Sequence, residues 1–144
     1  MGAPLPTKEQ AIERLEAYQK RLDEAAGHRD GAYDRLFDQA PPGLALHEID
    51  AQGTMRRVNA EELELIGRRA DELLGRPVWT FAVMEDASHR AVERKLAGGG
   101  LKPFVRTLTR GDGTGATAAF VERYLKDERG AIVGIRTALM QISA

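Results

Sequence analysis

The chain has 144 residues, enough for one domain with an accessory helix and too few for a multidomain enzyme. It contains no cysteine, which excludes disulfides, thiolate nucleophiles and cysteine-ligated metals. A formal net charge of -1 and the lack of any long apolar run argue against nucleic acid or a membrane as partner. Because the first residues lack the cationic and apolar stretches of a secretory signal, we expect a cytoplasmic protein.

An amphipathic helix is predicted near the start of the chain. Thr7 and Gln10 form a capping-box pattern, and good helix formers continue to Ala26. Ile12, Leu15 and Leu22 lie on one narrow apolar stripe, which makes them our candidate dimerisation residues. This helix is either a short coiled-coil connector between subunits or a flanking helix that lies on its own domain. We assign residues 1–32 to the tail and this connector helix.

The middle of the chain alternates between extended and helical patterns. A strand-like run, a turn at Gly53 and a second run predict a hairpin. Asn59 is a good N-cap for the helix that follows, and Gly67 ends that helix. The predicted elements in this region are a helix at 33–39, strands at 44–49 and 54–58, and helices at 60–66, 70–75 and 86–97.

The last third of the chain is predicted to be β-structure. Three extended runs, at 102–110, 116–126 and 131–142, are separated by short glycine-containing connections. Short connections favour antiparallel neighbours, so the runs form a meander. The fold class is therefore α+β.

Several turn and cap residues together resemble the PAS sensor domain of the S-box type, over about residues 36–142. They are Pro42-Gly43, Asp50, Gly53, Val58-Asn59-Ala60, Leu65, Gly67, Glu72-Leu73-Leu74-Gly75, Asp112-Gly113, Asp127, Gly130 and Gly134. The resemblance implies a PAS-like sensor domain at residues 33–144, with a five-stranded antiparallel sheet and helices on one face, preceded by the amphipathic helix. It also implies a cavity between sheet and helices, where family members hold haem, flavin, an organic acid or nothing detectable.

The candidate ligand-binding residues are Trp79, Phe81, Met84, Phe104 and Val121. The aromatic side chains among them could stack on a planar ligand, although core filling is the favoured explanation of the cluster around Trp79. The cofactor is unknown. A cysteinyl-flavin is excluded by the absence of cysteine, and haem is disfavoured because His89 lies about two turns before the family's ligand position in a polar neighbourhood.

Arg106 has two interpretations. It alternates with Phe104 and Leu108, so on a half-buried strand it would share their face and could bind a carboxylate-bearing ligand. Lys102 and Arg110 have the same parity, which favours a solvent-covered face for this set. On that argument Val105, Thr107 and Thr109 form the core side.

The sequence favours a non-enzymatic sensory and dimerisation module of a bacterial signal-transduction protein. A small ligand or partner would shift the sheet, and the connector helix would pass the change to an effector. We expect a homodimer, which could also pair through Ile135 or Val133 on an uncovered sheet face. One alternative is a small α+β enzyme with His47 or a carboxylate as general base, although no acid–base pair is evident from spacing. The other is a purely structural dimerisation domain without a ligand. No metal site is predicted.

Overall fold

The computed structural model describes residues 4–28 and 30–143. Within these ranges the elements are α1 (Lys8–Ala26), α2 (Ala32–Asp38), β1 (Ala45–Asp50), β2 (Met55–Val58), α3 (Ala60–Ile66), α4 (Ala70–Leu73), a 3-10 helix (Val78–Phe81), α5 (Glu85–Leu96), β3 (Phe104–Thr109), β4 (Gly115–Lys126) and β5 (Ile132–Gln141). None of the helices in these ranges is both long enough and apolar enough to cross a bilayer.

The five strands form one antiparallel sheet in the order β2-β1-β5-β4-β3. Tight connections explain the β1–β2, β3–β4 and β4–β5 pairs, because antiparallel neighbours can be joined by short turns. The helical segment between β2 and β3 carries the chain to the opposite edge of the sheet, so the last strand, β5, lies at its centre. The predicted α+β fold and its five-stranded sheet are confirmed.

Local capping residues fix where the helices begin. Thr7 and Gln10 form the predicted capping box at the start of α1. The Asn59 side chain caps α3 by accepting from the Glu62 backbone N–H, and it also accepts from the backbone N–H of Leu46 in β1. The side-chain oxygen of Asn59 therefore links the start of α3 to β1 of the sheet.

Helices cover both faces of the sheet. Helices α3, α4 and α5 lie over one face, and α1 packs on β4 and β5 on the other. Leu15 and Leu22 are fully buried in a core cluster that includes Val121 and Ala138 of the sheet, while Ile12 is only partly buried. The structure therefore agrees with the second interpretation of α1, a flanking helix that lies on its own domain.

The expectation of an uncovered apolar sheet face was wrong for Ile135. This side chain lies on the cavity face and is fully buried in the cluster beneath α3 and α5, and the other face is covered by α1, so neither face is left uncovered. Val133, at the start of β5, is 43% exposed.

The β1–β2 turn depends on a glycine that touches the only tryptophan. Gly53 has a φ of +83°, and a Cβ added there would overlap the Trp79 ring. We expect Gly53→Ala to lower the free energy of unfolding by about 2–4 kcal/mol, since left-handed strain adds to overpacking. Gly113 has a φ of +87° with open space around it, so Gly113→Ala should cost only about 1 kcal/mol. Chemical denaturation of both variants measures the difference, and equal losses would show that contact with Trp79 is unimportant.

Candidate functional site

A cavity of about 60 Å³ lies between the sheet and helices α3 and α5. Most of its wall is apolar, with contributions from both the sheet and the helical segment: Ile49, Ile66, Phe81, Val92, Phe120 and Leu139. A cavity that holds a water needs roughly 10–15 Å³ on the same measure, so this space accommodates several waters or one small molecule.

A row of polar side chains crosses the floor of the cavity. Strand pairing places His47 of β1 opposite Thr137 of β5, and Thr137 opposite Glu122 of β4. All three line the cavity. The rows on either side along the strands are mostly apolar: Ile49, Ile135 and Tyr124 on one side, and Ala45, Leu139 and Phe120 on the other. The sheet register therefore concentrates the polar groups in one band.

Helices supply an oppositely charged partner at each end of this row. His47 Nδ1 lies 2.7 Å from Oε1 of Glu62 on α3, and Lys95 Nζ of α5 donates to Glu122 Oε1 at 2.7 Å. The Thr137 hydroxyl donates to the other carboxylate oxygen of Glu122, also at 2.7 Å. Both ion pairs are almost completely buried. Buried charges persist only when they are paired and hydrogen-bonded, and these groups meet that requirement.

The ionisation of His47 is set by its surroundings. Burial alone lowers the pKa of this imidazole, but the charge of Glu62 and its hydrogen bond, with help from Glu122 and Glu48, raise the pKa above the ordinary 6.5. The imidazolium therefore persists to higher pH than that of an ordinary histidine.

Arg106 lines the cavity together with Phe104 and Leu108. The argument for a solvent-covered face was wrong because Lys102 and Arg110 lie outside β3, where strand alternation does not apply. Val105 and Thr107, which were expected to face the core, lie on the side of β3 away from the cavity and are exposed.

Two cationic side chains lie close to the ring of Phe104. Lys95 Nζ lies 4.0 Å from the ring centroid and the Arg106 guanidinium carbon lies 5.3 Å from it. Phe120 stacks on the same ring with a centroid separation of 4.7 Å. Among the described residues, Arg106 has no carboxylate within ion-pair distance, whereas Lys95 has Glu122.

Comparison with known proteins identifies the fold family. The family model described as "PAS fold" matches residues 37–143, most of the chain. The chain belongs to the PAS fold family. No curated protein matches the sequence, so its relatives are seen through solved structures.

Three PAS-domain structures show the likeness. The PAS domain of an HTR-like protein from Haloarcula marismortui is 25% identical, with 88% of this chain and 99% of that chain covered and a TM-score of 0.64. A domain of a sensory box sensor histidine kinase/response regulator from Geobacter sulfurreducens is 23% identical, with 78% and 94% covered and a TM-score of 0.66. The PAS domain of a LuxR-family transcriptional regulator from Burkholderia thailandensis, solved with ethanol, is 21% identical, with 78% and 98% covered and a TM-score of 0.61.

The cavity of this PAS domain contains two of the five predicted ligand-binding residues. Phe81 and Phe104 line it. Val121 does not, because it alternates with Phe120 and Glu122 along β4 and therefore packs beneath α1 on the opposite face. Met84 is 67% exposed just before α5, and Trp79 does not line the cavity but is partly buried against Gly53 and the His89 ring.

His89 lies outside the cavity. Its ring stacks on Trp79 with centroids 3.9 Å apart, and its Nε2 lies 3.0 Å from Glu93. Its side chain is about half exposed, in agreement with the expected surface position. Within the described ranges, no group of three or more histidine or carboxylate side chains is arranged to hold a metal ion.

The sequence interpretation named two polar groups of the PAS cavity, His47 in the enzyme alternative and Arg106 as a possible carboxylate-binding residue, but it did not identify Glu62, Thr137 and Glu122. Strand alternation could have placed His47 with Ile49, and Glu122 with Phe120, on cavity-facing positions. Nothing in the spacing indicates that Glu62 and Lys95 reach these residues from helices, since the partners are 15 and 27 positions apart.

We expect the His47–Glu62 pair to make stability depend on pH. Because the folded-state pKa of His47 is raised, the pair stabilises fully below pH 6.5, and this contribution is lost as pH rises from 6.5 through the folded pKa. His47→Gln should remove that part of the slope. Urea unfolding between pH 5 and pH 9 gives the measurement, with the exposed His28→Gln as control. A slope unchanged in His47→Gln would contradict the assigned environment.

Proposed function

We propose that this PAS domain is the sensory module of a bacterial signalling protein located in the cytoplasm. A small molecule occupies the cavity, and its presence is passed through β5 to α1 and from there to an effector domain or separate signalling protein. Residues 33–144 form the sensor in this proposal, and residues 1–32 form the output connector. The membership of the PAS family and the position of α1 on the sheet support this assignment.

One observation on β5 carries the proposal. Thr137 belongs to the polar row in the cavity, while its neighbour Arg136 lies on the opposite face beneath α1. Adjacent residues of a strand point to opposite faces, so any shift of β5 felt by Thr137 also moves Arg136. The cavity and α1 are thus connected through a single peptide unit.

The contact between β5 and α1 is a buried polar network centred on Gln19. Arg136 Nε donates to Gln19 Oε1 at 2.6 Å, and Gln19 Nε2 donates to the backbone carbonyls of Val121 and Arg136 at 2.9 and 3.1 Å. A second nitrogen of the Arg136 guanidinium donates to the Gln19 carbonyl and to Asp23. Gln19 and Arg136 are both buried inside an otherwise apolar interface.

This network defines one position of α1 on the sheet. Leu15 and Leu22 would tolerate a small shift along the sheet, because apolar contacts are not directional. The Gln19 hydrogen bonds would not, since a buried unpaired donor or acceptor costs about 1–3 kcal/mol. A signal that displaces β5 therefore acts directly on the docking of α1.

The competing functions are less well supported. An enzyme with His47 as general base would have to fit a substrate and any attacking water beside the imidazole, and a cavity of about 60 Å³ leaves little room for both. A purely structural domain needs no cavity with two buried ion pairs, and apolar residues at these positions would be at least as stabilising.

A double-mutant cycle tests the relay without any ligand. Thr137→Val removes the cavity hydroxyl and Gln19→Leu removes the α1 network, and each should lower the free energy of unfolding by about 1–3 kcal/mol. If β5 couples the sites, the double variant departs from additivity by more than about 0.5 kcal/mol.

The matched control for the cycle is Thr80→Val, a substitution of the same type at an exposed position in the 3-10 helix. Its combination with Gln19→Leu should be additive. Additivity of Thr137→Val with Gln19→Leu in urea unfolding would contradict the relay.

We also propose that two copies pair through α1. Leu15 and Leu22 are buried within the subunit and cannot contact a second copy. The contact is therefore made by the partly exposed Ile12 and the residues around it. Ile12→Lys should shift the protein from dimer to monomer in light scattering at micromolar concentration, while Lys20→Gln, also on α1, should not. A protein that is monomeric without any substitution, or a dimer that persists in Ile12→Lys, would argue against this contact.

A further inference from the structure

The charged side chains around the cavity do not balance. Glu62 and Glu122 bring two negative charges, while His47, Lys95 and Arg106 bring three positive charges when the imidazole is protonated. Each carboxylate is matched with one cation, Glu62 with His47 and Glu122 with Lys95. Arg106 is the cation in excess.

Hydrogen-bond donors are also in excess. Both oxygens of Glu122 are engaged, one by Lys95 and the other by Thr137. Lys95 uses one of its three donors on Glu122, and Arg106 has five donors with no carboxylate partner among the described residues. Since Glu62 binds Nδ1 of His47, Nε2 is the ring nitrogen left for another partner. Lys95 and Arg106 both line the cavity beside the Phe104 ring, and cations with free donors attract an acceptor that carries negative charge.

The size and walls of the cavity restrict that acceptor. On the measure by which one water needs about 10–15 Å³, the cavity of about 60 Å³ has room for roughly four to six non-hydrogen atoms. Phe81, Phe120 and Ile135 supply apolar walls against which a short hydrocarbon group can pack. A dicarboxylate would bring one charge more than the excess, and a neutral molecule would leave that excess uncompensated.

We propose that the cavity binds a small monocarboxylate anion of about four to six non-hydrogen atoms, with its carboxylate held by Arg106 and Lys95 and its apolar end against the aromatic wall. This assignment rests on the proposed function, because it takes the cavity as the ligand site of the sensor. It adds the chemical class of the ligand and the residues that recognise it.

The test is titration of the full chain with sodium acetate, propionate and pyruvate at constant ionic strength. Acetamide, propionamide and pyruvamide serve as neutral probes of nearly the same shape, and oxalate, which like pyruvate has six non-hydrogen atoms, serves as the dicarboxylate. Isothermal titration calorimetry gives the affinity, and thermal unfolding checks it, since a ligand that binds the folded state raises Tm with concentration. We expect at least one monocarboxylate to bind at least tenfold more tightly than its amide and than oxalate.

Two variants locate the site. Arg106→Gln should weaken monocarboxylate binding by about tenfold or more, because it removes a charge-assisted hydrogen bond. The matched control is Arg129→Gln at the exposed β4–β5 turn, which should leave the affinity unchanged. Arg106 lies on an edge strand and is only partly buried, so its replacement is compatible with folding; unfolding curves of both variants verify this.

The outcomes separate the ligand class from the relay. Equal affinity for amides and carboxylates, equal binding in Arg106→Gln, or no binding of any monocarboxylate at 10 mM would overturn the assignment. Hydrogen exchange of α1 with and without the bound monocarboxylate then examines the relay: altered protection supports it, and unchanged protection contradicts it while leaving the ligand class intact.

Discussion

The antiparallel pairing of β1, β5 and β4 is the constraint on which the rest of the molecule depends. Its register aligns His47, Thr137 and Glu122 on one face. One residue further along, it aligns Glu48, Arg136 and Arg123 on the other. Two polar rows therefore lie back to back across the centre of the sheet. A slip of one residue would exchange the faces of every side chain, placing arginine in the cavity and threonine under α1.

Each polar row also determines where helices dock. On the cavity side, Glu62 of α3 and Lys95 of α5 neutralise the two ends of the row. On the other side, Gln19 and Asp23 of α1 receive the Arg136 guanidinium. Because an isolated buried charge is far costlier than a mispacked methyl group, these pairs restrict helix positions more sharply than the surrounding apolar contacts do. Docking specificity here comes from the polar groups, and docking strength from the apolar ones.

The predictability of this fold follows from how local each signal is. The capping box at Thr7, the Asn59 cap and the Gly53 turn could be predicted because each needs only a few neighbouring residues. The site could be predicted only in part. Phe81 and Phe104 followed from their aromatic character, whereas the Glu62 and Lys95 pairs form across elements with no shared periodicity. The face of Arg106 was misassigned because the limits of β3 were unknown.

The Gln19 network gives the proposed relay an all-or-none character. Its donors reach two neighbouring strands at once, through the carbonyls of Val121 in β4 and Arg136 in β5. A partial shift of α1 would break these bonds and also remove a partner from a buried guanidinium, without admitting the water that could replace it. Intermediate positions are therefore less stable than either the docked helix or a helix released far enough to hydrate Arg136. Such a two-state element can convert a small displacement of β5 into a discrete output.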